Sequence, residues 1–351
     1  APHGLIQFRQ SVFIDHQCIY KWIFILRIEI RVKSHAGVIH KFPAALKIIE
    51  SQRVSLGHMI AGMHHSGSFL LRQFIDNGYK GKIRCLVRGS TRTDKLTASG
   101  LDIEIFPGDI ESVEDLSRFV DGAETVIHIA GIWRTLKLLE AISRTDSVKH
   151  VILVHTTGIY SKHKMASDEY KEIEARMQKY LDMGMNITIL RPTMIFGDMR
   201  DHNISKFIRL VAKLPVLPEI DHGAGLIQPV NARDLGQAYY KAAMVEKLPQ
   251  LSYNISGERE LSIHELMELI ARYMGKKARF ISVPMGLGVF GAKSVKLLSG
   301  GRVDLVEKVL RLGEDRNFSH ADATRDFGYE PAPFNEGLER EVKEFLQQRK
   351  A

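Results

Sequence analysis

The chain has 351 residues, 44% hydrophobic and 26% charged, the composition of an ordinary globular protein with a large core. Its formal charge of +8 is uneven: residues 1–56 hold eight Lys/Arg against three Asp/Glu, leaving +3 for the rest and no compact basic stripe, so nucleic acid is not expected as a partner. Two cysteines, Cys18 and Cys85, exclude a disulfide framework and make a reducing, cytoplasmic setting the expectation.

Residues 1–56 show neither caps nor sustained periodicity and are expected to form an N-terminal appendage outside the chemistry. Their most apolar run, Ile19–Arg27, is interrupted by charge and too short to cross a bilayer, and no small-residue cleavage site follows it. No membrane partner is expected. From His58 onward, short β-rich runs alternate with helical segments, the pattern of a parallel sheet covered on both faces. Strands are predicted at 58–62, 82–87, 103–106, 125–130, 150–155 and 186–191, with helices near 67–77, 112–120, 133–145 and 166–183. Cys85, inside the second run, is expected as a small buried thiol. Beyond Arg191 the pattern loosens into helices near 203–213, 232–246, 262–274 and 335–349 and strands near 226–230, 252–255 and 278–283. Gly300-Gly301 predicts a local loop.

The turn after the first strand reads Ile60-Ala-Gly62-Met-His-His-Ser66-Gly67. A strand ending in Gly62 and a helix starting at Ser66–Gly67 would aim free N–H groups and the positive helix end at a phosphate. The spacing departs from GxGxxG, because four residues separate the two glycines, and Ser68 stands where a P-loop needs lysine. Adjacent His64 and His65 lack partners at ligand spacing, so no metal site is expected.

The Gly62 turn, Gly108-Asp109-Ile110, Val126–Gly131, Thr156-Thr157-Gly158-Ile159-Tyr160 and Leu190-Arg191-Pro192-Thr193 follow one another in the order of the extended short-chain dehydrogenase/reductases. Over roughly residues 58–348 the chain resembles the NAD-dependent epimerase/dehydratase family. The resemblance implies an α/β fold, a Rossmann-type doubly wound parallel sheet with a smaller C-terminal α/β substrate lobe. The division it implies is an appendage over 1–56, a dinucleotide-binding domain over 57–195, and a mainly substrate-binding lobe over 196–351 partly interleaved with the sheet. It implies that Gly62, Ser66 and Gly67 approach the pyrophosphate, Asp109 and Ile110 lie beside the adenine, and Ala130, Gly131 and Pro192 line the passage to the nicotinamide. Arg88, with Arg92 behind it, stands where NAD-binding relatives carry an acid; a guanidinium there pairs with the extra phosphate, so NADP is preferred over NAD.

By the same resemblance Thr156 holds the reacting oxygen and Tyr170 exchanges the proton. The family's helix lysine, four residues after the tyrosine, is here Glu174. A bare carboxylate about 6 Å from the phenol would disfavour the phenolate by roughly 3 kcal/mol. Lys164 is the substitute cation, and Tyr160-xxx-Lys164 offers an alternative dyad on a loop. The family's proton-relay Asn is also missing, because a helical pattern begins almost directly after Gly131. Gly197, Asp198, Arg200, Asn203, Gln228 and Arg302 are expected on the substrate side, with Arg316 as a second candidate for a diphosphate.

Two readings stand at this point. One is an NAD(P)-dependent oxidoreductase or epimerase acting on a small hydroxyl or carbonyl compound, nucleotide sugars included. The other is a catalytically impaired NAD(P)-binding module with a regulatory or structural role. A homodimer through the helices after strands four and five is the family's assembly. A fold that has lost the dinucleotide altogether is a lesser reading.

Overall fold

The computed structural model describes residues 66–89 and 93–349. The strand expected over 58–62, Gly62, His64, His65, Arg92 and the 1–56 segment lie outside the described residues. In chain order the first half comprises α1 (Ser66–Asp76), β1 (Ile83–Val87), α2 (Asp94–Thr97), β2 (Ile103–Pro107), α3 (Val113–Val120), β3 (Thr125–His128), α4 (Thr135–Ile142), β4 (His150–Val154), α5 (Ser167–Arg176), α6 (Gln178–Asp182) and β5 (Ile187–Pro192). The second half comprises β6 (Ile195–Phe196), α7 (Ile204–Lys213), β7 (Leu217–Ile220), β8 (Leu226–Ile227), β9 (Val230–Asn231), α8 (Ala232–Ala243), β10 (Ser252–Ile255), β11 (Leu261–Ser262), α9 (Ile263–Tyr273), β12 (Phe280–Val283), α10 (Met285–Leu298), α11 (Val306–Leu312), α12 (Ala321–Phe327) and α13 (Phe334–Gln348).

The strands β3, β4, β5 and β10 form one parallel sheet, and β1 pairs with β2 in parallel. All five residues of β4 are buried, with no polar alternation, because both faces of the sheet are covered. Ile127, Ile152 and Val154 face a core built with Leu70 and Phe74 of α1, Leu235 and Tyr239 of α8, and Phe327 of α12. Their sequence neighbours Val126, Val151 and Leu153 face the opposite core with Phe119 of α3, Leu139 of α4 and Tyr180 of α6. The two-residue period of the strand thus divides one apolar run between two layers of helices. Cys85 is fully buried, as its apolar run predicts.

Local chemistry sets several helix starts. Ser112 accepts a bond from Asp115 N–H at 3.1 Å to cap α3, Asn231 accepts from Arg233 N–H at 3.0 Å to cap α8, and Ser262 accepts from Glu265 N–H at 3.0 Å to cap α9. Such caps each contribute about 1 kcal/mol. Helices α1 and α8 pack backbone to backbone: a Cβ at Gly236 would lie 2.5 Å from the carbonyl carbon of Phe69. The C-terminal lobe has its own core, formed by Ile208 of α7, Leu266 and Ile270 of α9, and Leu338 and Val342 of α13.

Several expectations are corrected. The helix read over 166–183 is two helices, α5 and α6, joined at buried Met177. The one expected over 133–145 shrinks to α4 and is preceded by a 3-10 turn, Ile132–Arg134. The strand read over 226–230 is β8 and β9, separated by Gln228 and Pro229, since proline has no N–H to give a ladder. β7, α10, α11 and α12 have no counterpart among the predicted elements.

Candidate functional site

Asp109 and Ile110 follow β2, Ala130 and Gly131 follow β3, Thr156 follows β4 and Pro192 ends β5, so all six stand at carboxyl ends of parallel strands, where doubly wound sheets bind ligands. Ser66 and Gly67 are the first two residues of α1, both buried, and no acidic side chain occupies the first turn. That end of the helix therefore keeps its positive field for an anion, and the residues present fit a dinucleotide phosphate. Gly131 takes φ 83°, a left-handed value that favours glycine, and its carbonyl accepts a bond from His128 Nε2 at 2.9 Å. Arg88 is half-buried just beyond β1.

The catalytic candidates converge. Thr156 Oγ1 accepts a bond from Gly158 N–H at 3.0 Å, which leaves its own proton free to be directed outward. A Cβ on Gly158 would meet Thr156 Oγ1 at 3.2 Å and Lys164 Nζ at 3.1 Å, so the absence of a side chain there leaves room for both groups. Lys164 Nζ lies 5.1 Å from the centre of the Tyr170 ring. Tyr170, on α5, is buried against Ile132 and Ile159 and stacks at 5.1 Å on Trp133. Burial, then repulsion by Arg311, brings the Lys164 ammonium down to about 8, although Glu307 opposes the shift. The other tyrosine of the YxxxK pair, Tyr160, is half-exposed and covers Arg191 at 5.6 Å and Phe318 at 5.2 Å.

Glu174 is not the bare carboxylate that its place in the sequence suggests. Its Oε1 accepts from His155 Nδ1–H at 2.8 Å and from Arg191 Nε at 3.3 Å, and its Oε2 accepts from Arg191 Nη2. Burial pulls the Glu174 carboxyl upward, but the bonds from His155 and Arg191 and the guanidinium charge hold it below the ordinary carboxylate value. Burial lowers His155 in turn, so the imidazole is neutral, donates from Nδ1, and accepts at Nε2 from the Thr135 hydroxyl at 3.0 Å. Thr135, His155, Glu174 and Arg191 form one satisfied chain behind the site. His128, beside it, is also pushed down by burial, to about 3, and its Nδ1 has no partner among the described residues.

The substrate-side candidates separate into groups. Gly197 takes φ 132°, its N–H donates to Glu341 at 3.1 Å, and a Cβ there would strike Asn231 Oδ1 at 2.8 Å. Asp198 is bonded to Arg200 at 3.0 Å, and Asn203 Nδ2 donates to Ile195 O at 2.8 Å. Gln228 ties Gly257 O at 2.9 Å to Phe318 N–H at 3.1 Å, beside the Tyr160 ring. Arg302 is exposed in the loop after α10. The guanidiniums that act on Lys164 are those of Arg311 and Arg316. Glu314 fastens the Lys164 loop by accepting from Ser161 Oγ and Lys162 N–H, both at 2.7 Å. His155 and Arg311 carry no motif that marks them in the sequence; Arg191 does, as the middle of Leu-Arg-Pro. Among the described residues no group of His, Cys, Asp and Glu is placed to hold a metal, and no helix is long and apolar enough to cross a membrane.

Residues 65–210 match a family described as NAD(P)H-binding. None of the curated proteins matches the chain in sequence. Among solved structures, the chain is similar to a UDP-glucose 4-epimerase from Thermotoga maritima, with 18% identity and a TM-score of 0.59 over 83% of this chain and 98% of that one. It is also similar to a nucleoside-diphosphate-sugar epimerase from Pseudomonas aeruginosa, with 14% identity and a TM-score of 0.61 over 82% and 96%. A UDP-glucuronic acid 4-epimerase from Bacillus cereus, in complex with UDP-glucuronic acid and NAD, gives 17% identity and a TM-score of 0.59 over 81% and 96%. Residues 65–210 thus match an NAD(P)H-binding family, and the chain shares the Rossmann-type fold of these solved epimerases.

Proposed function

We propose that this protein is an NAD(P)-dependent oxidoreductase or epimerase acting at a hydroxyl-bearing or carbonyl carbon of a small molecule, a nucleotide sugar being the class its structural neighbours suggest. The observation that carries the reading is the convergence of Thr156, Lys164 and Tyr170 at the carboxyl end of β4, two of them drawn from opposite sides of a loop. When bound, the nicotinamide supplies hydride transfer; the protein supplies position and proton movement. Thr156, with its oxygen already accepting from Gly158, donates its proton to the reacting oxygen of the substrate. The Tyr170 hydroxyl takes or returns the proton of that oxygen, and the Lys164 ammonium makes the phenolate accessible. The ammonium lies over the Tyr170 ring, and its charge favours the phenolate over the phenol.

Glu174 motivates the non-catalytic reading at the level of sequence, but its carboxylate is committed to Arg191 and His155, and the cation of the site arrives from the loop instead. Within this proposal residues 57–195 bind the dinucleotide and 196–351 form the substrate lobe, with β10 returning to the sheet beside β5. Arg88 would favour NADP through its place after β1. The test is Tyr170→Phe, assayed by binding of NADPH and by turnover over a panel of nucleotide sugars and small carbonyl compounds. Turnover should fall by at least about 100-fold with cofactor affinity nearly unchanged; full activity in the variant would remove Tyr170 from the chemistry.

A further inference from the structure

Helix α10 is two-faced in an unusual sense. Its inward side is held by the lobe: Ala292 is buried, a Cβ on Gly288 would meet Ile220 Cδ1 at 2.6 Å and Val309 Cγ1 at 3.1 Å, and Met285 Cε reaches Gly313. Its outward side is also apolar. Leu287 is 63% exposed, Phe290 69%, Leu297 81% and Leu298 87%. At 100° per residue these four fall within an arc of about 100°, nearly opposite Ala292 and Gly288. Ile281 of β12 and Val303 in the following loop add exposed apolar surface on either side in sequence. A solvated helix face normally carries polar residues, and a run of exposed leucines with phenylalanine marks a surface made to be covered.

Charge decides what covers it. The sequence of α10 contains Lys293 and Lys296 and no acidic residue. Lys293 borders the stripe, while Lys296 pairs with Asp304 at 2.6 Å. Across residues 276–308 there are seven Lys/Arg against two Asp/Glu, so this stretch alone holds +5 of the +8 of the whole chain. A second copy packed face to face would set that excess against itself, and like charges across an interface oppose association. Anionic phosphates beside hydrocarbon satisfy both features at once: leucine and phenylalanine sink to the acyl boundary while lysine and arginine meet headgroups.

We propose that α10 docks this protein on an anionic lipid surface, with Leu287, Phe290, Leu297 and Leu298 as the inserted stripe and Lys293 and Arg302 at the phosphates. This is attachment in the plane of the interface, for which no spanning helix is needed. The inference stands independently of the enzymatic reading.

The experiment is vesicle co-sedimentation of the full chain with phosphatidylcholine alone and with phosphatidylcholine containing phosphatidylserine as about a third of the lipid. The wild type should bind the anionic vesicles, release with added salt, and bind the neutral ones weakly. The double variant Leu297→Asp/Leu298→Asp should lose at least about tenfold in partitioning and Lys293→Glu should weaken it, both with an unchanged urea-unfolding transition. Absence of wild-type binding, equal binding to neutral vesicles, or binding that both variants retain would overturn the proposal, the last by placing the contact elsewhere in the chain. A wild-type dimer that the double variant converts to monomer would also overturn it, by assigning the stripe to a second copy.

Discussion

Placing on this helix the lysine that the sequence resemblance leads one to expect should damage the protein rather than improve it. Glu174 is largely buried, with its side chain 15% exposed, and receives His155 Nδ1–H at 2.8 Å and Arg191 Nε at 3.3 Å. Removing one member of such a pair costs about 3–5 kcal/mol, because the other charge stays buried without a partner. An ammonium in its place adds repulsion from Arg191 of about 4 kcal/mol at 4 Å and an effective dielectric of 20, of which side-chain relaxation recovers about half. Glu174→Lys should thus lose about 5 kcal/mol or more, a large share of the 5–15 kcal/mol that holds a typical domain together. Glu174→Gln, which keeps the shape and can still accept from one partner, should lose only about 2 kcal/mol. The assay is urea denaturation followed by circular dichroism, with both variants beside the wild type. A Glu174→Lys variant within about 1 kcal/mol of wild type, or one with raised turnover, would refute the claim that this carboxylate exists to hold Arg191 and His155.

Lys164→Met should reduce kcat by about 100-fold near neutral pH while leaving the unfolding midpoint little changed, the magnitude being that of a lost acid–base contribution. Because burial brings the Lys164 ammonium to about 8, the rate that depends on its charge should fall as pH rises through about 8, and the pH profile of Lys164→Met should lack that limb. Glu341 is buried beside Asp201, and both burial and that neighbouring carboxylate push its pKa well above the usual range. The folded state therefore holds a proton that the unfolded chain releases above the ordinary carboxylate pKa, so stability should decline as pH rises from about 5 through neutrality. Glu341→Gln should flatten that decline in pH-dependent denaturation, and an unchanged slope would locate the proton elsewhere. Arg88→Glu should lower affinity for NADPH by at least about tenfold relative to NADH, measured by calorimetric titration of both.

The sheet was readable because its strands are short runs of branched apolar residues: Val151–Val154 is buried on both faces and leaves no ambiguity about what it does. What escaped the sequence did so for physical reasons. β7 reads Leu-Pro-Glu-Ile, and its proline argues against a strand; the pairing is tolerated because β7 has β12 as its ladder partner in a two-stranded sheet. Helix α10 has three glycines and an apolar residue on nearly every side, so no helical period stands out. At the candidate site, Thr156 and Tyr170 are proposed from their place in a motif order, and Lys164 from its spacing from Tyr160. The partner that Lys164 meets is Tyr170, six residues on, because the chain turns at Ser161 and Glu314 fastens the loop. His155 and Arg191 bracket Glu174 from 19 and 17 residues away, on two neighbouring strand ends, and no local pattern records that meeting.

The exchange of charge at the site is therefore a rearrangement with two coupled parts. A lysine on α5 would have to share its surroundings with Arg191, whose guanidinium is buried beneath Tyr160 and needs an anion of its own. Placing glutamate on the helix neutralises Arg191 and holds His155 Nδ1–H, and placing lysine on the loop brings an ammonium over the Tyr170 ring. On the proposed chemistry neither part should work alone: a loop lysine without Glu174 would leave the Arg191 charge and a buried histidine without their anion, and Glu174 without the loop lysine would leave the phenol unassisted. Gly158 is the hinge between them, since any side chain there would press on both the Thr156 hydroxyl and the Lys164 ammonium, so Gly158→Val should reproduce the kinetic defect of Lys164→Met while Glu174 and Arg191 remain paired.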